Sequence, residues 1–188
     1  MNTTRLEAFS DGVIAILITI MILEFKTPHE ATLAALRPLL PLFLSYLLSF
    51  VFLGIYWTNH HHLMHMTERV SGSVLWANLH LLFWLSMIPF TTVWMSEHYH
   101  EAVPVAVYGL VDLGAGIAYS ILYTRIVRQA ANAKLYEAVG SDWKGRMSYL
   151  AYAAAVALAF VWPPLSIAIY AAVALAWLVP DRRIESKV

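Results

Sequence analysis

Arg5-Leu6-Glu7-Ala8-Phe9-Ser10-Asp11 runs without a break into Gly12-Val13-Ile14-Ala15-Ile16-Leu17-Ile18-Thr19-Ile20-Met21-Ile22-Leu23. The first part carries charges and a hydroxyl, the second carries no charge, and about 20 apolar residues are enough for one helical crossing of a bilayer. An ionisable cluster therefore stands at the mouth of a membrane-spanning helix. Charged groups at the centre of a span cost about 2.5 to 3.5 kcal/mol on insertion scales, so ionisable residues at or inside a span mark something the protein uses. This helix reads as the wall of an ion pathway.

The composition gives the class. Hydrophobic residues make up 60% of the chain and charged residues 13%, against roughly 25% charged in soluble domains, and the mean hydropathy is +0.64. The chain reads as an all-α integral membrane protein embedded in a lipid bilayer. A formal net charge of +0 without a basic patch gives no electrostatic footprint for nucleic acid. With no cysteine, neither a disulfide framework nor a thiolate metal site can form. The N-terminus carries no side-chain charge before Arg5, and the apolar run lacks a small-residue cleavage site, so this span is expected to stay in the mature protein.

Hydrophobic runs place helices near 4–26, 33–63, 72–95, 102–128, 147–162 and 164–179. Six transmembrane helices then fill residues 1–188 as one domain. The second would reach roughly 45 Å at 1.5 Å per residue, so it is expected to tilt or project at its His-rich end. The last two are short and meet at Pro163-Pro164, as two thin crossings or one re-entrant hairpin. With this count, Arg5, Arg69, Arg125, Arg128, Lys134, Lys144, Arg146, Arg182, Arg183 and Lys187 share one face and only Lys26 and Arg37 the other. Basic residues collect on the cytoplasmic side, which predicts a multi-pass cell membrane protein with both termini cytoplasmic.

Ile16, Thr19, Ile20 and Leu23 follow the i, i+3, i+4, i+7 rule and share one face of the first helix. That stripe suits a pore wall, although an all-apolar helix also yields such stripes. The polar cluster has a plainer reading too, as an interfacial salt bridge of Arg5 with Glu7 or Asp11 at a helix start. The second helix ends in Trp57, Asn59, His60, His61, His62 and His65. His61 and His65, one turn apart, are placed to share a metal, but the other histidines are scattered and no acidic ligand set is expected to accompany them. A membrane-embedded metal or haem enzyme using His60, His61 and His65 is the alternative from another class, and a proton-coupled transporter or proton pathway using Asp112 and the histidines a third. Asp112 lies mid-span among Gly109, Gly114 and Gly116, where small residues allow close helix approach, and a packing hydrogen bond is expected for it. Asn78, and Pro89 with Phe90 and Thr91, interrupt the third helix, which Pro89 should kink.

Arg5-x-x-x-Phe9-Ser10-Asp11 running into Thr19-Ile20-Met21-Ile22-Leu23, with Trp57-x-x-His60, Asn78-Leu79 and Pro89-Phe90-Thr91, resembles the transmembrane protein 175 family of potassium channels. The resemblance covers most of the chain, and its specific part is the first-helix signature. It implies a non-enzymatic, potassium-permeable channel with no cofactor beyond the permeant ion, in which first helices from several copies line a central pore. It also implies that no carbonyl-loop filter is present, in keeping with the absence of a T-V-G-Y-G run. The family's aliphatic constriction maps to Ile16, Ile20 and Leu23, with Thr19 its polar member. Arg5, Phe9, Ser10, Asp11, Trp57, His60 and Asn78 become a structural and gating network. A single copy of the signature makes a cyclic homotetramer the natural closure.

Overall fold

The computed structural model of the chain describes residues 3–65, 67, 69–128 and 143–178, and among them every regular element is helical. Lys134, Arg182, Arg183 and Lys187, used above for orientation, lie outside the described residues. The first span is α-helical over Thr3–Ile20 (α1) and tightens into a 3-10 turn at Met21–Glu24, so it ends short of the expected residue 26. The second begins as a 3-10 segment at Leu33–Leu39, where the Thr32 hydroxyl accepts from the Ala35 N–H at 3.3 Å. It becomes α-helical only at Leu40–His65 (α2). Pro38 and Pro41 have no N–H for an i−4 carbonyl, which delays the α pattern to Leu40.

Pro89 divides the third span as expected. Gly72–Ser86 (α3) and Ile88–Glu97 (α4) are separated at Met87, whose N–H turns to the Trp84 carbonyl at 3.1 Å. Thr92 Oγ1 donates to the Ile88 carbonyl at 2.7 Å, so a hydroxyl takes up backbone bonding where the chain changes direction. Ala102–Val127 (α5) is the fourth span. The fifth, Trp143–Leu158 (α6), lies four residues earlier than expected and ends in a turn before Pro163-Pro164; the last is Pro163–Leu178 (α7). Proline at a first helical position has its φ preset and loses no bond there. Each of these last two helices has 16 residues, about 24 Å, short against a hydrocarbon core of about 30 Å. Four longer segments, Thr3–Glu24, Leu33–His65, Gly72–Glu97 and Ala102–Val127, are long and apolar enough to cross a membrane.

α5 is the central post and packs against α3, α4, α6 and α7. Two apolar clusters form around it. Leu6, Ile14 and Leu17 of α1 join Leu53, Leu81 and Leu122 in one; Phe52, Met95, Tyr108, Tyr152 and Tyr170 build the other. The expected role of small residues on α5 is met: a side chain on Gly109 would collide with the Tyr170 hydroxyl, and one on Gly114 with the Trp84 ring. α1 sits at the margin against α2 and α3, which leaves one of its faces uncovered.

Candidate functional site

α1 and α2 run in opposite directions, and the start of one meets the end of the other in steps of one helical turn. The Thr3 hydroxyl donates to the Thr67 carbonyl at 3.2 Å, Glu7 Oε1 accepts from His61 Nδ1 at 2.9 Å, and Asp11 Oδ1 accepts from the Trp57 indole N–H at 3.0 Å. Positions 3, 7 and 11 on α1 and 57 and 61 on α2 are i, i+4 neighbours, which share a helix face. Next to this ladder runs a buried relay across three helices. His60 Nε2 donates to Asn78 Oδ1 at 2.8 Å, Asn78 Nδ2 donates to Ser10 Oγ at 2.9 Å, and the Ser10 hydroxyl donates to the Leu6 carbonyl at 2.9 Å. Ser10, His60 and Asn78 are all fully buried. An amide oxygen can only accept, so the His60 proton must reside on Nε2; Nδ1 is then a bare acceptor, and it meets no donor among the described residues.

The structure thus brings Ser10, Asp11, Trp57, His60 and Asn78 together. It does not pair Arg5 with Glu7 or Asp11, contrary to the salt-bridge reading: the carboxylates turn to α2 instead. Residues two apart on a helix point away from each other, and residues six apart do so nearly as much. Arg5 and Phe9 stay on the exposed side of α1.

The histidine cluster also differs from expectation. His60 does not join His61 and His65: it is buried with its Nε2 bonded to Asn78, and it lies outside the group that His61 and His65 form with Glu7. Glu7, unrecognised in sequence as a neighbour of these residues, supplies the missing acid: its Oε1 lies 2.9 Å from His61 Nδ1 and 3.8 Å from His65 Nε2. Fifty-four residues separate Glu7 from His61, and no local signal joins them.

Beyond Asp11, α1 makes no further side-chain hydrogen bond to α2 among the described residues, and its two faces diverge. Leu6, Ser10, Ile14, Leu17 and Met21 are buried. Ile16, Thr19, Ile20 and Leu23 stand on the opposite, exposed side, Ile16 at 59% and Leu23 at 77%. The Thr19 hydroxyl points its proton at the Ala15 and Ile16 carbonyls, 3.0 and 2.9 Å away. Its oxygen lone pairs are what remain to offer outward.

Asp112 is 1% exposed, and neither of its carboxyl oxygens has a hydrogen-bond partner among the described residues, so the expected packing bond is not found there. Its backbone carbonyl accepts from the Tyr56 hydroxyl at 3.5 Å.

These features define an all-α, multi-pass membrane protein with six spans, a polar anchor at the start of the first and an uncovered aliphatic stripe further along it. The family described as "Endosomal/lysosomal potassium channel TMEM175" matches residues 5–89. A potassium channel of Chryseobacterium sp. (strain P1-3) is 50% identical over 186 residues, covering 98% of this chain and 97% of the relative. A potassium channel of Streptomyces collinus is 34% identical over 183 residues, covering 91% and 89%. The crystal structure of a lysosomal potassium-selective channel TMEM175 homolog from Chamaesiphon minutus superposes with a TM-score of 0.80 at 28% identity, over 96% of this chain and 97% of that one. The chain belongs to the TMEM175 family. Its matched relatives are channels, and it is not an enzyme.

Proposed function

We propose that the chain is one subunit of a potassium-permeable cation channel, a homotetramer in which four copies of α1 surround the pore. The observation that carries this reading is the division of α1: its buried face is anchored to α2 and α3, while Ile16, Thr19, Ile20 and Leu23 are exposed. Relatives along almost the whole chain are named potassium channels, which supplies the permeant ion.

In this arrangement four Ile16 side chains make an apolar ring that closes the pore by dewetting, without steric contact of every atom. The same stripe provides one polar level, Thr19. With its proton held by backbone carbonyls, Thr19 presents oxygen to the axis, the atom type that replaces water around a monovalent cation. No carbonyl loop takes part in this filter, so discrimination among cations is weak. Asp11, Trp57, His60 and Asn78 do not ligate the ion; they hold α1 to α2 and α3 at the mouth. Arg5, Arg69, Arg125, Arg128, Lys144 and Arg146 lie at the end where α1 and α6 begin and α2 and α5 finish, which supports cytoplasmic termini by the positive-inside rule.

The test is cation flux through purified protein in liposomes, under a potassium gradient and then a matched sodium gradient, for the native chain and Ile16→Asn. Wetting the constriction is expected to raise flux about tenfold, equivalent to about 1.4 kcal/mol off the barrier, with potassium favoured in the native chain. Absence of flux from both in well-folded tetramers would overturn the channel reading. Native flux left unchanged by Ile16→Asn would move the gate off Ile16.

A further inference from the structure

We propose that Glu7, His61 and His65 form a binding site for a divalent transition-metal ion of the Zn2+ class, clasping the start of α1 to the end of α2. One ligand atom from each residue lies within 4.8 Å of the others, with Glu7 Oε1 at 2.9 Å from His61 Nδ1 and 3.8 Å from His65 Nε2. Around a tetrahedral zinc with ligands at about 2.0–2.1 Å, neighbouring ligand atoms stand roughly 3.3–3.4 Å apart. The two measured separations bracket that value, so small rotations of the side chains seat the ion.

The donor set selects the metal. Two imidazoles and one carboxylate suit zinc, copper or nickel, whereas calcium and magnesium take oxygen ligands in larger number. Three protein ligands leave a fourth position for water. The site is open to entry, with side-chain exposures of 40% for His61, 59% for His65 and 19% for Glu7. It is also partly built in advance. The His61 ring is stacked on the Trp57 indole at 6.1 Å between centroids and meets the His65 ring edge-on at 4.3 Å, and Trp57 is itself bonded to Asp11. In the metal-free state the Nδ1 proton of His61 bridges to Glu7. The ion takes the place of that proton, which leaves to solvent. His62, next in sequence, is not part of this ligand set.

If α1 lines the pore, as proposed above, an ion at this site fixes the first turns of that helix against α2 and slows potassium flux. Binding is measured first and by itself. Zn2+ is titrated calorimetrically into the untagged full chain, and saturation at one ion per chain is expected. Glu7→Gln and His65→Ala are each expected to weaken binding at least tenfold, with His62→Gln unchanged. Cu2+ loaded into the native chain should show electron paramagnetic coupling to imidazole nitrogen, a readout that does not depend on any variant folding. No saturable Zn2+ binding, binding indifferent to Glu7→Gln and His65→Ala, or a copper spectrum without nitrogen coupling would each overturn the site. Flux is then compared with and without Zn2+ in the native chain and His65→Ala. Loss of flux in the native chain alone supports the clasp; metal bound with flux unchanged overturns the effect on flux and leaves the channel reading to the Ile16→Asn comparison.

Discussion

The two faces of α1 are built for different tasks. On one, Ile14 is 1% exposed and packs among leucines of α1, α2, α3 and α5, and Ser10 closes a buried relay to Asn78 and His60. On the other, two residues on from Ile14, Ile16 is 59% exposed. Both residues are isoleucines in one helix, so their difference comes from what surrounds them. A helix held by one face alone can move as a unit against the subunit, or carry a new surface on its free face, without disturbing the core.

The largest expected effect tests that division by the same substitution on both faces. Ile14→Ala removes buried methylene and methyl groups from a closed cluster and should cost about 2 to 4 kcal/mol, read as unfolding by denaturant in detergent micelles. Ile16→Ala should cost less than about 0.5 kcal/mol while raising cation flux. Equal losses would show that the outer face is packed as tightly as the inner one, and the notion of a free face would fail.

Asn78→Leu breaks the inner face at its polar end. The His60 Nε2 proton and the Ser10 oxygen would both lose their partner inside the bundle, and a stranded buried group costs about 1 to 3 kcal/mol. Interhelical hydrogen bonds in membranes average about 0.6 kcal/mol in double-mutant cycles, because the unfolded chain finds partners too. A net loss of about 1.5 kcal/mol is therefore expected. The cycle of Asn78→Leu with Ser10→Ala should show coupling between the two sites; strict additivity would mean that the relay holds nothing together.

Much of this layout was legible from sequence because it depends on local pattern. Helical periodicity put Ile16, Thr19, Ile20 and Leu23 on one face, and Pro89 and Pro163-Pro164 marked breaks that the backbone obeys. Pairings across helices were harder to read. Glu7 was read beside Arg5, its near neighbour in sequence, though a separation of two residues on a helix turns side chains apart; its actual partners come from a turn of α2 fifty-four residues on. His60 looked like a member of a histidine cluster because it is adjacent to His61, but that one step rotates it into the core and onto Asn78. The ends of α1 and α2 escaped for another reason. Switching from α to 3-10 pattern at Met21 and before Leu40 depends on a few backbone hydrogen bonds that leave no mark on hydropathy.

A weaker response is expected at Asp112, a buried polar residue outside the relay. Asp112 sits in the most enclosed of the long spans, yet neither carboxyl oxygen meets a donor among the described residues, whereas Ser10 Oγ accepts from Asn78 and Asn78 Oδ1 accepts from His60. Asp112→Asn keeps shape and removes the ionisable group. With no hydrogen bond to lose, stability should change by less than about 0.5 kcal/mol, or rise, since a buried charge without a partner is costly. Flux through the α1 stripe should be unaltered. A loss of 2 kcal/mol or more, or flux abolished in a folded tetramer, would place a working partner at Asp112 and favour a transporter or proton pathway through the interior of the subunit over a pore lined by α1. The same variant therefore asks whether the route for ions lies along the free face of the first helix or through the core.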